Sequence, residues 1–305
     1  MENRIDTKMK AEVRFLAWFG VATSLSFLTA SNFVTLLDQS LGDTFGSVFP
    51  AIPFAALLAL ILALRWSDLK EVLAAEGGFT SQSVTRLLGL VIVGGLLALR
   101  PITAQTVEAS GIALVLTFYG LSLVMNPLTR RFMLPYAGVC AIGVGAPAVL
   151  QLAFGEPLAT LSSDLSARMV GFAGFPVSWQ GTQFELVSKS GEVLTGAVTP
   201  GCSSIISVTT FLGLLALMHL DLKKDLRSTT ILAIAGVAFL TVLNSVRILI
   251  LLWVGYEGGA ATFWGVHNWI GYALFLGFYL AALPFYSRMG RGPMGFYSGR
   301  TGKLD

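Results

Sequence analysis

Long apolar runs separated by short polar connections dominate this chain. Crossing the hydrocarbon core of a bilayer as a helix takes about 20 largely apolar residues. Eight stretches meet that requirement, at about 13–37, 48–65, 84–104, 108–125, 132–154, 203–220, 229–254 and 263–285. The first is the least apolar, with Thr23, Ser24, Ser26, Ser31 and Asn32 inside it. It follows a basic N-terminus but lacks a small-residue cleavage site, and is expected to be an uncleaved anchor. The third and fourth lie close together, as two spans or as one re-entrant hairpin, and either choice leaves the topology parity intact. The pattern predicts an all-α polytopic membrane protein with about eight transmembrane helices.

One connection, residues 155–202, breaks this rhythm. Leu158, Leu161, Leu165 and Met169 recur at helical spacing, predicting a short amphipathic helix over 158–171 that lies on the membrane surface. After it, Gln183-Phe184-Glu185-Leu186-Val187, a Ser188-to-Gly191 turn and Glu192-Val193-Leu194-Thr195 predict a β-hairpin. The expected organisation is therefore residues 1–154 as N-terminal membrane helices, 155–201 as an extracytoplasmic helix and hairpin between the fifth and sixth spans, 202–285 as three further membrane helices, and 286–305 as a disordered cytoplasmic tail.

Composition agrees with this pattern. Of the 305 residues 54% are hydrophobic and 12% charged, and the mean hydropathy is +0.74. A soluble domain carries about 25% charged residues, so this chain has too little polar surface to coat a globule in water. A net charge of +3 does not call for a nucleic-acid partner. The placement of basic residues is more telling. Sixteen of the twenty Lys and Arg residues fall in the N-terminal tail, the even-numbered connections and the C-terminal tail, whereas the opposite side holds Arg100, Arg168 and Lys189. The positive-inside rule then puts both termini in the cytoplasm and residues 155–202 outside.

Few residues in such a chain can carry chemistry. Of the two cysteines, Cys140 sits mid-span among small apolar neighbours and reads as packing. Cys202 follows Thr199-Pro200-Gly201 and opens the sixth span with Ser203 and Ser204. A thiol at a helix N-terminus faces unpaired backbone N–H groups that favour thiolate and can stabilise an oxyanion. Arg247 lies inside the seventh span, where a charge is costly and marks a functional candidate, unless it snorkels outward to Glu257 or Asp164. Asn244, three residues earlier, shares its helix face. His267 begins the eighth span near Trp264 and Trp269, and an interfacial histidine in an aromatic belt is the alternative reading. His219 reads as a cytoplasmic-surface residue. The predicted topology brings Cys202, Arg247 and His267 to one depth on the outer side. No His-x-x-x-His or Cys-x-x-Cys pair provides a metal ligand set, no glycine-rich phosphate loop is present, and no cofactor is expected.

Cys202-Ser203-Ser204, then Asn244-Ser245-Val246-Arg247, then His267, together with the Gly174-Phe175-Pro176-Val177 run ahead of the hairpin, resemble the exosortase/archaeosortase family. The resemblance is good over about 157–285. It implies a sortase-like membrane cysteine peptidase or transpeptidase of the inner membrane, with catalytic Cys202, Arg247 and His267 and supporting Asn244, Ser203 and Ser204. Its partners would be the bilayer and membrane-anchored proteins carrying a C-terminal sorting signal: a motif such as PEP-CTERM, a transmembrane helix and a basic tail. In this role Asn244 would orient Arg247 or His267. The family's pattern has Gly where Ser204 stands, so Ser204 either narrows the site or donates a hydrogen bond there. A non-enzymatic transporter or assembly component for secreted polymers is the competing expectation, with Arg247 binding an anion and Cys202 incidental.

Overall fold

The computed structural model describes residues 83–289 apart from 104, 128 and 223, together with 20, 21 and 24. The stretches at about 13–37 and 48–65, and the tail past residue 289, lie outside the described residues. Two compact units meet at Val149 and Leu150.

The first unit holds α1 (Ser83–Ala98), α2 (Arg100–Thr103), α3 (Val107–Met125) and the start of α4 (Thr129–Ala173). The stretch expected at 84–104 is divided, because Pro101 has no N–H with which to continue the ladder of α1. Thr106 caps α3 by accepting from the Ala109 N–H at 3.2 Å. Helices in lipid associate through small residues that let backbones approach. Here α1 and α3 meet at two glycines: a Cβ on Gly120 would lie 3.0 Å from the Gly89 carbonyl oxygen. Tyr119 and Leu123 of α3 close a core with Met133 and Ala137 of α4.

The second unit holds the remainder of α4, strands β1 (Val177–Gln180), β2 (Gln183–Val187) and β3 (Val193–Ala197), a 3-10 turn (Pro200–Cys202), α5 (Ile205–Leu222) and α6 (Leu226–Arg288). Among the described residues of the two units, five helices or helix segments are long and apolar enough to cross a membrane: Glu108–Met125, Thr129–Ala173, Ile205–Leu222, Leu226–His267 and Trp269–Arg288. Ile231, Ile234, Phe239 and Val242 of α6 are exposed. An apolar exterior of this kind suits lipid and not water.

Two expectations change in detail. The segment 158–171 is not a separate surface helix. It continues α4, a helix of 45 residues, more than twice the length a span needs. The hairpin gains a third strand, because Val177–Gln180 pairs antiparallel with β2, giving the order β1-β2-β3. The seventh and eighth stretches stay distinct, as two helical arms that meet at a bend at Gly259 and are labelled together as α6.

Alternation explains how the sheet sits. Phe184, Leu186, Leu194 and Val198 turn one way and pack with Val170 of α4 and with Ile248, Leu251, Leu252 and Phe263 of α6. Gln183, Glu185, Val193 and Thr195 turn outward. Gly255 makes this packing close, since a Cβ there would reach both Leu186 and Leu194 at 3.3 Å.

The turn between β2 and β3 grips the bend in α6. The Lys189 N–H donates to the Tyr256 carbonyl at 2.9 Å, and the Lys189 ammonium pairs with Glu257 at 2.6 Å. On the far side of the bend Glu192 accepts from the Ala260 N–H at 3.0 Å, placing a carboxylate at the N-terminus of the second arm, where the helix dipole favours it. Gly259 itself has φ 73°, a conformation that a side chain disfavours, and a Cβ there would run into the Glu192 carboxylate. Gly259→Ala is therefore expected to destabilise the protein by about 1–3 kcal/mol. Gly265→Ala, in helical backbone with open space around it, should be neutral or mildly stabilising. Thermal unfolding midpoints in detergent distinguish the two.

Candidate active site

The candidate nucleophile does not sit in the first turn of α5, as the sequence pattern leads one to expect. Pro200 starts a 3-10 turn closed by Cys202 N–H to the Thr199 carbonyl at 2.8 Å. The Ser203 hydroxyl then donates to the Pro200 carbonyl at 2.7 Å. Ser203 is extended (φ −75°, ψ 168°), so the regular helix begins only at Ile205. With the thiol outside α5, the helix dipole is not what governs its acidity.

Side chains from elsewhere take over that task. His267 acts on the Cys202 thiol from the second arm of α6 and favours its thiolate. The Thr199 hydroxyl donates to Sγ at 3.6 Å. Burial pushes the thiol pKa up, but His267, the Thr199 hydrogen bond and the positive charge of Arg247 outweigh it and bring the value down to about 7. His267 is itself held among rings, 5.9 Å from Phe263 and 5.4 Å from Trp264 between centroids.

Arg247 and Asn244 face this turn from the first arm of α6. Arg247 Nη2 donates to the His267 carbonyl at 3.4 Å, linking the two arms. Its Nε is buried without a hydrogen-bond partner among the described residues. Gly271 lets the guanidinium lie close: a Cβ there would be 3.1 Å from Nε. Glu257 pairs with Lys189 instead of Arg247. Asn244 is fully buried, and its Nδ2 donates to the Cys202 carbonyl at 2.9 Å. It thus holds the backbone of the candidate nucleophile, a different position from the one expected, while its Oδ1 is buried and unpartnered.

The fold therefore gathers Cys202, His267, Arg247 and Asn244. Ser203 shapes the turn, and Ser204, 2% exposed, has its hydroxyl 3.5 Å from that of Thr241. That contact directs Ser204 into the packing between α5 and α6. His219 stands apart, with Nδ1 3.0 Å from the Thr229 hydroxyl and 3.4 Å from that of Tyr286. Both cysteines are free. Thr199 escaped the sequence reading; its signal is a hydroxyl three residues before a cysteine in a Pro-Gly turn.

A family model described as transmembrane exosortase matches residues 13–284. The chain belongs to the exosortase family. Exosortases are multi-pass membrane proteins, generally cysteine peptidases or transpeptidases linked to sorting-signal processing. No curated protein and no solved structure matches this chain.

An exosortase thiol tuned in this way should react with iodoacetamide along a pH curve centred near 7. Reactivity rises with pH through that midpoint, because thiolate is the reactive form. Arg247→Ala and Thr199→Val should each move the midpoint upward, toward the free-thiol value of about 8.5. At pH 7 that change lowers the thiolate fraction, and with it the labelling of Cys202, up to about fifteenfold.

Proposed function

We propose that this exosortase is a membrane cysteine peptidase or transpeptidase that cleaves C-terminal sorting signals from secreted proteins at the outer face of the inner membrane, through a thioacyl-enzyme. The observation that carries this reading is the Cys202 thiol, hydrogen-bonded by Thr199 and held toward thiolate by His267 and the Arg247 charge. The excess of basic residues in the tails and alternate connections supports cytoplasmic termini and an outward-facing site.

In this mechanism the Cys202 thiolate attacks the carbonyl carbon of the scissile peptide. A C–S bond forms and the carbonyl π pair moves onto oxygen. Arg247 faces that oxyanion, and its buried, unpartnered Nε–H gains an acceptor as charge develops. Collapse of the tetrahedral intermediate breaks the C–N bond. The departing amine takes a proton from His267, leaving a thioester on Cys202. A second nucleophile then loses its proton to His267, attacks the thioester carbonyl and releases the Cys202 thiolate. An amine acceptor completes transpeptidation and water completes proteolysis. Asn244 keeps the Cys202 backbone still throughout, through its bond to the Cys202 carbonyl.

The substrate's transmembrane tail docks laterally among the helices, and residues 155–201 cover the cleft above the thiol. Residues 202–285 carry the catalytic groups.

The test compares host cells producing wild type, Cys202→Ala, His267→Ala and Arg247→Ala. C-terminal peptides of secreted proteins that end in a span and a basic tail are followed by mass spectrometry. Cys202→Ala should abolish C-terminal processing. His267→Ala should slow it about 10²–10⁴-fold and Arg247→Ala about 10²–10³-fold. Hydroxylamine should release a hydroxamate of the trimmed protein from the wild type and none from Cys202→Ala. Unchanged processing in Cys202→Ala favours the transporter or assembly-component role.

A further inference from the structure

Strand β3 ends close to the thiol. Ala197, its last residue, lies two residues before Thr199, whose hydroxyl is 3.6 Å from Cys202 Sγ. The strand therefore leads directly to the candidate site.

The ladder shows what that edge offers. Val198 N–H donates to the Thr182 carbonyl at 2.8 Å, and Ser188 N–H to the Glu192 carbonyl at 2.9 Å. These bonded pairs fix the alternation in the register that matches Phe184 with Gly196 and Leu186 with Leu194. Val193, Thr195 and Ala197 are consequently the residues whose N–H and C=O groups turn away from β2. Among the described residues no strand pairs with that edge.

Native sheets protect open edges with lysine, proline, inward charges or bulges. β3 has none of these. It reads Val193-Leu194-Thr195-Gly196-Ala197 without a charge or a proline, and its register with β2 is unbroken. The opposite edge strand, β1, is tied to α4: the Trp179 Nε1–H donates to the Ser163 hydroxyl at 2.6 Å, and Ser163 to the Gly181 carbonyl at 2.7 Å. An unprotected, uncharged edge leading to a nucleophile is suited to pairing with an extended peptide.

We propose that β3 binds the acyl side of the substrate, the residues just before the scissile bond, as an added strand parallel to itself, through the outward backbone groups of Val193, Thr195 and Ala197. The direction follows from geometry. Residues before the scissile bond run toward the thiol in their N-to-C sense, and β3 runs toward Cys202 in the same sense. β3 covers about 13 Å at roughly 3.3 Å per residue, enough for about four substrate residues. Backbone pairing supplies affinity that tolerates varied side chains and holds the chain extended with its carbonyl presented to sulfur. This inference rests on the thiol-peptidase reading above and adds how that site holds its substrate.

The test uses the full chain in detergent and acetyl-tetraalanyl vinyl sulfone, a probe without distinctive side chains. The Cys202 thiolate adds to the vinyl β-carbon, and the α-carbon takes up a proton. Labelling rates are divided by the iodoacetamide rate of the same preparation, so that thiol reactivity cancels. Two versions of the probe are N-methylated on opposite alternate amides. Strand pairing predicts that one methylation pattern slows labelling about tenfold, with the other within about twofold of the parent, because only alternate residues face β3. Thr195→Pro removes one outward N–H without touching the ladder to β2, and should slow the unmethylated probe about tenfold and erase the difference between the methylated pair. Equal effects of the two methylation patterns on wild type overturn the proposal, and this arm needs no variant. An unchanged normalised rate in a folded Thr195→Pro protein overturns it as well. A wild-type iodoacetamide profile centred near 8.5 overturns the thiol site itself, and the strand proposal with it.

Discussion

The bend at Gly259 is the constraint on which the candidate site depends. Arg247 precedes it and His267 follows it on the same helical path, α6. A straight helix would separate residues 20 positions apart by about 30 Å. Reversing the path at Gly259 instead brings Arg247 Nη2 to 3.4 Å from the His267 carbonyl. The bend requires a backbone conformation that glycine accepts readily, and the turn between β2 and β3 holds both of its sides through Lys189, Glu257 and Glu192. The small sheet is thus a structural part of the site: its turn holds both arms, which carry the guanidinium and the imidazole.

That arrangement was partly legible in the sequence. Apolar runs and the scarcity of charge marked the helices, and alternation marked β2 and β3. Cys202, Arg247 and His267 stood out because each is unusual for a membrane segment, and topology alone put them at one depth. Local features decided by tertiary partners were less visible. Val177–Gln180 has little strand character until β2 lies beside it. Residues 158–171 have an amphipathic pattern whether they lie on a bilayer or continue α4 beneath a sheet. The seventh and eighth stretches read as separate because Gly258 and Gly259 end a helix, and Glu192 starts the next one at Ala260.

The roles of the smaller polar residues followed the same division. Spacing placed Asn244 on the Arg247 face, but its partner, the Cys202 carbonyl, belongs to a turn 42 residues away. Ser204 lies next but one to the thiol in sequence, yet packs toward Thr241. Thr199 had no pattern to recommend it until the 3-10 turn folded its hydroxyl back onto sulfur. Proximity in sequence misled for Ser204 and was informative for Thr199, and the direction of the turn makes the difference.

The position of Cys202 ahead of α5 has a consequence for biogenesis. A cysteine activated by its own helix would be reactive as soon as that helix formed. Here acidity is borrowed from Thr199, from Arg247 on one arm of α6 and from His267 on the other, so it exists only once the sheet, the bend and both arms are in place. A nascent or half-inserted chain carries an ordinary, mostly protonated thiol. Within the proposed mechanism, the thiol therefore gains its nucleophilic form only in the assembled fold.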